Sequence, residues 1–325
     1  MSNKKIIITG ATGFIGSHLT ELFVKKGYKV TAFDRYNPEY NLGHLKNSKF
    51  KKDIEFIFGD IRDYDSVNAS LKGKNIVLHL AALIGIPYSY YSPLAYIKTN
   101  IEGTYNVLNA VKNSNIEQLI VTSTSETYGS AQKVPIKETH RLIGQSPYAA
   151  TKISADQLAI SYWRSFKTPV KIIRPFNTFG PRQSGRAVIP SIILQALNNQ
   201  NIKLGNIETT RDYTYVSDLC DAYVEILKTK NLFGIPVNVG SNKEIKIKEI
   251  ANMIIKMTNS NLKIKVEKMR FRPKLSEVDR LKCDNSLIKK KTKWRPRIDF
   301  KKGLEETIRW IKNNKEKNFT DIYRI

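Results

Sequence analysis

Tyr148 and Lys152 stand four residues apart in Ser146-Pro-Tyr-Ala-Ala-Thr-Lys152. On a helix, positions i and i+4 share one face, so a phenol and an ammonium would sit side by side. A neighbouring positive charge favours phenolate and is expected to lower the tyrosine pKa from its ordinary value of about 10. Such a group can take a proton from an alcohol while hydride leaves the same carbon. Tyr-x-x-x-Lys also describes many ordinary solvated helix faces, so the pair needs company. Upstream, Ser123-Thr-Ser-Glu-Thr-Tyr-Gly129 supplies it, with small hydroxyls at Thr124 and Ser125 and a carboxylate at Glu126.

The chain opens Lys4-Lys-Ile-Ile-Ile-Thr-Gly10-Ala-Thr-Gly13-Phe-Ile-Gly16. A short apolar run bounded by glycine predicts a buried parallel strand, and residues 17–26 space Leu19, Leu22 and Phe23 as a helix does. Glycines at a strand-to-helix turn let the backbone approach a pyrophosphate at the positive end of the helix. Three glycines can also make an ordinary tight turn. Their place between a first strand and a helix makes Gly10, Thr12, Gly13, Phe14, Ile15 and Gly16 a nucleotide-binding turn. The next strand, 29–33, ends at Asp34, where an acid can accept hydrogen bonds from the ribose hydroxyls of NAD. Arg35 follows and could instead meet the 2′-phosphate of NADP; NAD is the preferred expectation.

With 325 residues, 41% of them hydrophobic, the chain can bury a large core. No apolar run approaches the ~20 residues of a membrane helix. The longest candidate, 76–86, contains His79, and the apolar opening is cut short by Thr9-Gly10, too early for a signal peptide. Cys220 and Cys283 make no disulfide framework and have no metal-ligand company, which fits buried thiols in a reducing cytoplasm. A formal charge of +25 raises nucleic-acid binding, with 289–302 as its best support. The lysines are nevertheless spread along the whole chain among asparagines and isoleucines, as a compositional bias would spread them. A positive cleft also suits an anionic nucleotide substrate. Neither nucleic acid nor membrane is therefore expected as a partner.

Segments 55–58, 75–80, 118–123 and 170–174 read as further strands with helices between them. The alternation predicts an α/β fold, a Rossmann-type doubly wound parallel sheet whose ligands lie beyond the carboxyl ends of the strands. Asp60-Ile61, His79-Leu80-Ala81-Ala82, Thr122 and Arg174-Pro-Phe-Asn177 occupy those ends. After Asn177 glycines, prolines and arginines thicken, as in a chain leaving the sheet to build a smaller C-terminal substrate lobe. The expected division is 1–177 for the NAD-binding domain, with 214–240 returning to it, and 178–213 and 241–325 for the lobe.

These motifs together resemble the extended short-chain dehydrogenase/reductases, in their nucleotide-sugar epimerase/dehydratase branch, from Thr9-Gly-Ala-Thr-Gly-Phe-Ile-Gly16 to Trp294-Arg-Pro296. The resemblance implies that Asp60 and Ile61 flank the adenine and that Leu80, Ala81, Ala82, Asn100 and Thr122 line the cofactor. It gives Lys152 a contact with the nicotinamide ribose and sets Thr124 beside the 4-hydroxyl of the sugar. Tyr148 is then the base, and Asn177 positions substrate. His79 is implied to pack or hydrogen-bond below the cofactor.

Glu126 bears on the branch. Simple 4-epimerisation has no evident use for a carboxylate here, whereas elimination from a 4-keto sugar does. Oxidation at C4 acidifies the C5 hydrogen, a carboxylate removes it, and the C6 hydroxyl departs as water. The Thr124-Ser125-Glu126 trio resembles that of GDP-sugar 4,6-dehydratases, and it also occurs in UDP-glucuronate decarboxylases. TDP-glucose dehydratases carry an aspartate acid where Ser125 stands, which leaves the C6 proton donor open between Glu126 and Ser125. Segments 82–90, 145–148, 174–183 and 186–190 together resemble the GDP-N-acetylglucosamine 4,6-dehydratases of legionaminic acid synthesis. UDP-sugar 4-epimerase and UDP-glucuronate decarboxylase are the alternatives.

A nucleotide diphosphate calls for arginines, whose planar fork suits phosphate oxygens. Arg211 and Arg272 open segments resembling the family's diphosphate-binding elements, and Glu277 resembles the acid near the nucleotide ribose. Arg182 and Arg186 are candidate helpers on a loop, and Tyr88 is a candidate wall of the sugar pocket or a core residue. The resemblance also implies a homodimer pairing the helix around 156–166 with that around 100–111. No metal is expected.

Overall fold

The computed structural model describes residues 4–314. The expectations touching residues 1–3 and 315–325, at the opening of the chain and the end of the C-terminal lobe, lie outside the described residues. Strand β1 (Lys5–Thr9) alternates its isoleucines: Ile6 and Ile8 join the core on one face of the sheet and Ile7 the core on the other, all three with no exposed surface. A strand buried on both faces belongs in the middle of a parallel sheet. The remaining strands are β2 (Lys29–Arg35), β3 (Ile54–Gly59), β4 (Ile76–His79), β5 (Gln118–Thr122) and β6 (Val170–Pro175).

After β7 (Asn177–Phe179), β8 (Ile202–Leu204) and β9 (Thr210–Tyr215), strand β10 (Pro236–Val239) returns beside β6. All seven strands of this sheet are parallel, in the order β10-β6-β5-β4-β1-β2-β3. The fold is Rossmann-like. The chain reverses its direction of build between β1 and β4, so the crevice above their carboxyl ends is the natural ligand site.

Helix α1 (Phe14–Lys25) connects β1 to β2, and α2 (Tyr64–Ser70) connects β3 to β4. Two short helices, α3 (Ile86–Tyr91) and α4 (Pro93–Tyr96), lead into a π-helical turn over Ile97–Glu102 and then α5 (Gly103–Lys112). The helix expected over 100–111 therefore begins as a wider turn. Helix α6 (Pro147–Phe166) joins β5 to β6 and packs with α5 on one face. On the other face, α1 and α8 (Val216–Lys228) share a core that continues into α7 (Val188–Leu197), α9 (Ile247–Met257) and α11 (Phe300–Asn313).

The later segments form two small sheets. β11 (Glu244–Lys246) pairs antiparallel with β9, which pairs parallel with β7, and β12 (Ile264–Val266) pairs with β8. Four of these five strands span only three residues, too few for the alternation by which longer strands declare themselves. Beyond α10 (Ser286–Lys291), Trp294 is 2% exposed and donates from Nε1 to the Asp218 carbonyl at 2.7 Å. Asp218 also accepts from the amides of Arg297 and Ile298 at 2.9 Å each, fastening the Trp-Arg-Pro segment to α8.

The first βα turn depends on absent side chains. Gly10 has φ +71°, and a Cβ there would meet the Ala81 amide at 2.9 Å; a Cβ on Gly16 would lie 2.1 Å from the Gly10 carbonyl oxygen. Gly16→Ala must therefore push α1 off β1. The expected loss is about 1–3 kcal/mol in urea unfolding, with weaker dinucleotide binding; an unchanged midpoint would show that the contact relaxes without effect.

Candidate active site

The cofactor end is built from β1, β2 and β4. Gly13 precedes α1 without a capping side chain, so the amides of the first turn, including those of Phe14 and Ile15, are left for an anion. A Cβ on Gly13 would meet only the Gly10 carbonyl, at 3.3 Å, so the approach is open. Asp34 accepts from the Thr12 amide at 2.9 Å and the Thr12 hydroxyl at 2.6 Å, and its other oxygen accepts from the Arg35 amide. The acid thus fastens the glycine turn and still presents lone pairs at the end of β2, while Arg35 is exposed.

At the next strand end, Asp60 is held by Arg62 through both oxygens, beside a cavity of about 330 Å³ lined also by Asp63, Lys98 and Glu102. Ile61 is buried under Gly103, and its carbonyl accepts from Asn106 at 3.0 Å. Leu80 and Ala81 turn their amides onto the Thr9 hydroxyl, and Ala82 follows, half-buried. His79 bridges Thr9 at 2.9 Å and Thr104 at 3.2 Å, and burial pushes its pKa down to about 3. It is a neutral support beneath the crevice, as the sequence implied.

Asn100 is already engaged by the protein. Its amide is taken by both backbone groups of Leu83 (2.9 and 3.0 Å) and by the Thr151 hydroxyl (3.0 Å), and the residue is 1% exposed. The π-turn places it as a clasp between the 80–85 loop and α6, with one lone pair of Oδ1 still open.

Strand β5 ends at Thr122, and a 3₁₀ turn over Ser125–Tyr128 follows. Thr124 caps that turn, accepting from the Glu126 amide at 3.2 Å; Ser125 is buried and Glu126 half-buried. Ser146 caps α6 through the Ala149 amide, Pro147 takes the first helical position, and Tyr148 and Lys152 therefore share one face. Lys152 donates to the Thr122 carbonyl at 2.6 Å, and the Thr122 hydroxyl meets that of Tyr223 at 2.7 Å.

The expected depression of the Tyr148 pKa is not found: burial raises it, hydrogen bonding with Thr124 works against the rise, and the Glu126 carboxylate adds to it. The reason is dielectric. Burying a phenolate costs more than its surroundings return, and burial lowers Lys152 itself to about 8, with Asp156 opposing. Tyr96 contributes a wall that sequence reasoning did not select. Its ring lies 6.3 Å from Tyr148 and 6.1 Å from Tyr88, and its hydroxyl donates to the Gly85 carbonyl. Tyr88, 42% exposed, is not a core residue.

Arg211 and Arg272 converge on two carboxylates. Arg211, 5% exposed, donates to Glu277 at 3.4 Å; Arg272 lies 3.7 Å from Glu126 and 4.0 Å from Glu277. Tyr213, on the same face of β9 as Arg211, has its pKa raised to about 12 by burial, with both arginines opposing. Arg186 is exposed but close enough to oppose the rise in Tyr96, and Asn177 is half-buried at the start of β7. The Arg182 guanidinium pairs with Glu21 of α1 at 2.9 Å, beside the contact of His18 with the Pro181 carbonyl. It anchors its loop to α1 instead of joining the arginines of β9 and the 272–277 segment.

Beneath the catalytic turn lies a buried ion pair, Arg174 with Asp156 at 2.8 Å, both at most 2% exposed. The four-residue spacing from Lys152 to Asp156 is the sequence signal that puts the two on one face of α6. Among the described residues no group of three or more His, Cys, Asp or Glu side chains could hold a metal, and no helix is long and apolar enough to cross a membrane.

A Rossmann-like sheet carrying a glycine turn, a Tyr-Lys pair and clustered arginines defines a dinucleotide-dependent enzyme class. The family model described as GDP-mannose 4,6 dehydratase matches residues 7–307, and the chain belongs to that family. It is 32% identical over 322 residues to the Arabidopsis thaliana trifunctional UDP-glucose 4,6-dehydratase/UDP-4-keto-6-deoxy-D-glucose 3,5-epimerase/UDP-4-keto-L-rhamnose-reductase; that match covers 96% of this chain and 48% of the plant protein, so the chain spans about half of that relative's length. It is also 32% identical to a UDP-N-acetyl-alpha-D-glucosaminuronate decarboxylase of Bacillus cytotoxicus, over 95% of this chain and 98% of that one. Among solved structures, the UDP-glucuronic acid 4-epimerase of Bacillus cereus, in complex with UDP-glucuronic acid and NAD, superimposes with a TM-score of 0.88 at 30% identity, covering 95% of this chain and 99% of that one.

Tyr148→Phe keeps the ring in its pocket and removes the proton acceptor. Turnover is expected to fall by about 10²–10⁴-fold with dinucleotide affinity unchanged, read by steady-state rates and calorimetry. A variant within a few-fold of wild type would remove Tyr148 from the chemistry.

Proposed function

We propose that the chain is an NAD-dependent nucleotide-sugar 4,6-dehydratase whose substrate is GDP-N-acetylglucosamine. The residues present fit the cofactor: an uncapped helix start with open space at Gly13, an acid at the end of β2 and a supported loop at 80–82. Asp34, already carrying negative charge where a 2′-phosphate would lie, favours NAD over NADP. NAD held there would supply the hydride acceptor for C4 of the sugar and the hydride donor for C6.

Tyr148 takes the proton of the 4-hydroxyl, with Thr124 beside it and the Lys152 ammonium stabilising the phenolate as it forms. The observation that carries the dehydratase reading is Glu126. Its carboxylate is half-buried, two residues beyond Thr124, near enough to raise the Tyr148 pKa and within 3.7 Å of Arg272. As a base it removes the C5 proton made acidic by the 4-ketone. The same proton then goes to the C6 hydroxyl, which leaves as water, with Ser125 next to it. Arg211 and Arg272 supply cations for the diphosphate, Glu277 lies near the nucleotide ribose, and Tyr88, Arg186 and Asn177 border the sugar. Return of hydride at C6 is matched by a proton delivered to C5, equivalent to the one Tyr148 took from the 4-hydroxyl, and the product is a 4-keto-6-deoxy sugar.

We also propose a homodimer built on α5 and α6. Ile97, Tyr105 and Phe166 are 47%, 44% and 51% exposed along this side, and the Lys112 ammonium lies 4.4 Å over the Phe166 ring. Light scattering at micromolar concentration is expected to give twice the chain mass, and a monomer alone would sink this assembly.

Incubation with GDP- and UDP-linked N-acetylglucosamine, followed by mass spectrometry, tests the reaction. Loss of one water from the GDP sugar is expected. Isomerisation without mass change would support a 4-epimerase, and loss of carbon dioxide from a uronate a decarboxylase. Glu126→Gln is expected to keep cofactor reduction and to slow elimination by about 10²-fold or more; full dehydration by that variant would remove Glu126 as the base.

A further inference from the structure

The catalytic pair and the carboxylate turn rest on an ionic network for which the proposed chemistry has no use. Asp156 lies one helical turn beyond Lys152 on α6 and is fully buried. Its Oδ2 accepts from Ser123 Oγ and from Arg174 Nε, each at 2.8 Å. Arg174 Nη1 in turn donates to the Tyr128 hydroxyl at 2.9 Å, with the guanidinium 5.1 Å from that ring's centroid. Tyr128 donates onward to Asn238 Oδ1 of β10 at 2.7 Å. Ser123 precedes Thr124 and Tyr128 closes the 3₁₀ turn, so the two ends of the catalytic turn are tied to a single ion pair.

The same carboxylate bears on Lys152. From α6 that ammonium is faced by Tyr148 and Asp156. From β5 it meets the Thr122 carbonyl, and behind it stands the Tyr223 hydroxyl of α8. From β4 comes His79, kept neutral by burial and then by the Lys152 charge. From β6 comes Arg174, already bound to Asp156. Burial favours the uncharged amine, and Asp156 is the neighbour that opposes it.

We propose that Asp156 is a positioning residue: one helical turn from Lys152 and tied through Ser123 and Arg174–Tyr128 to both ends of the Thr124-Ser125-Glu126 turn, it fixes the lysine and the turn against Tyr148. It acts through Lys152 and the turn, without touching substrate. The inference rests on the cofactor reading, in which Lys152 contacts NAD, and is independent of which sugar reaction follows.

The test uses the full chain and NADH, whose fluorescence reports binding, from about pH 6 to about pH 10 around the lysine transition. Wild-type affinity is expected to fall as Lys152 loses its proton. Removing a carboxylate neighbour lowers a lysine pKa, so Asp156→Asn is expected to move that fall down by about one pH unit, and Asp156→Glu to bring it back. A uniform loss of affinity with the midpoint unmoved is what a merely structural role predicts, and it would overturn the proposal, as would wild-type affinity that does not fall with pH. Absence of NADH binding to the wild type would overturn the cofactor reading itself. Should Asp156→Asn fail to fold by circular dichroism, the double variant Asp156→Asn, Arg174→Gln removes both charges and leaves no uncompensated buried cation. Loss of the guanidinium raises the lysine as loss of the carboxylate lowers it, so that variant is compared with Arg174→Gln alone, and equal midpoints in the two would overturn the proposal.

Discussion

The active site depends on charge taken out of water. Arg174 and Asp156 meet in a place with almost no solvent, where each ion alone would carry several kcal/mol of lost hydration. What makes the pair tenable is the set of hydrogen bonds around it, from Ser123 to the carboxylate and from the guanidinium to Tyr128. Those bonds run to β5, α6, β6 and, through Asn238, β10. Three consecutive elements and a strand from much later in the chain are thereby held in one geometry. That geometry sets the distance between the Tyr-Lys face of α6 and the carboxylate turn after β5.

A second constraint acts at the other side of the crevice, and it is steric. Gly10 and Gly16 bring the start of α1 and the β4 loop closer to β1 than side chains would permit. The helix is left uncapped, and Asp34 replaces the missing cap by pinning Thr12. Rigid polar anchoring below and close backbone approach above leave a crevice whose walls are set before any ligand enters. Most of its polar groups are already bonded to protein, so the donors and acceptors that remain are few and specific.

Much of this was legible in the residues. The glycine spacing, the alternation of apolar runs and the Tyr148–Lys152 interval each reflect a local rule, and the six strands read from them all lie in the sheet, their ends within two residues of those expected. The short strands of the later segments were not legible, because three residues cannot show a period of two with any force. Long-range pairing was equally hidden. Nothing in the order of residues shows that Arg182 would reach back to Glu21, or that Asn100 would close on Leu83. The pKa of Tyr148 was misjudged for a related reason: spacing reveals a neighbour, whereas burial is a property of the whole fold.

Arg272 sits between two carboxylates at distances too long for hydrogen bonds, and its Nη1 has no hydrogen-bonding partner among the described residues. A guanidinium in that position behaves as an ion exchanger, neutralising Glu126 and Glu277 only loosely. Any stronger anion that draws it away leaves Glu126 without its cation. A diphosphate bound at the arginine cluster and the Glu126 carboxylate would therefore compete for one and the same side chain.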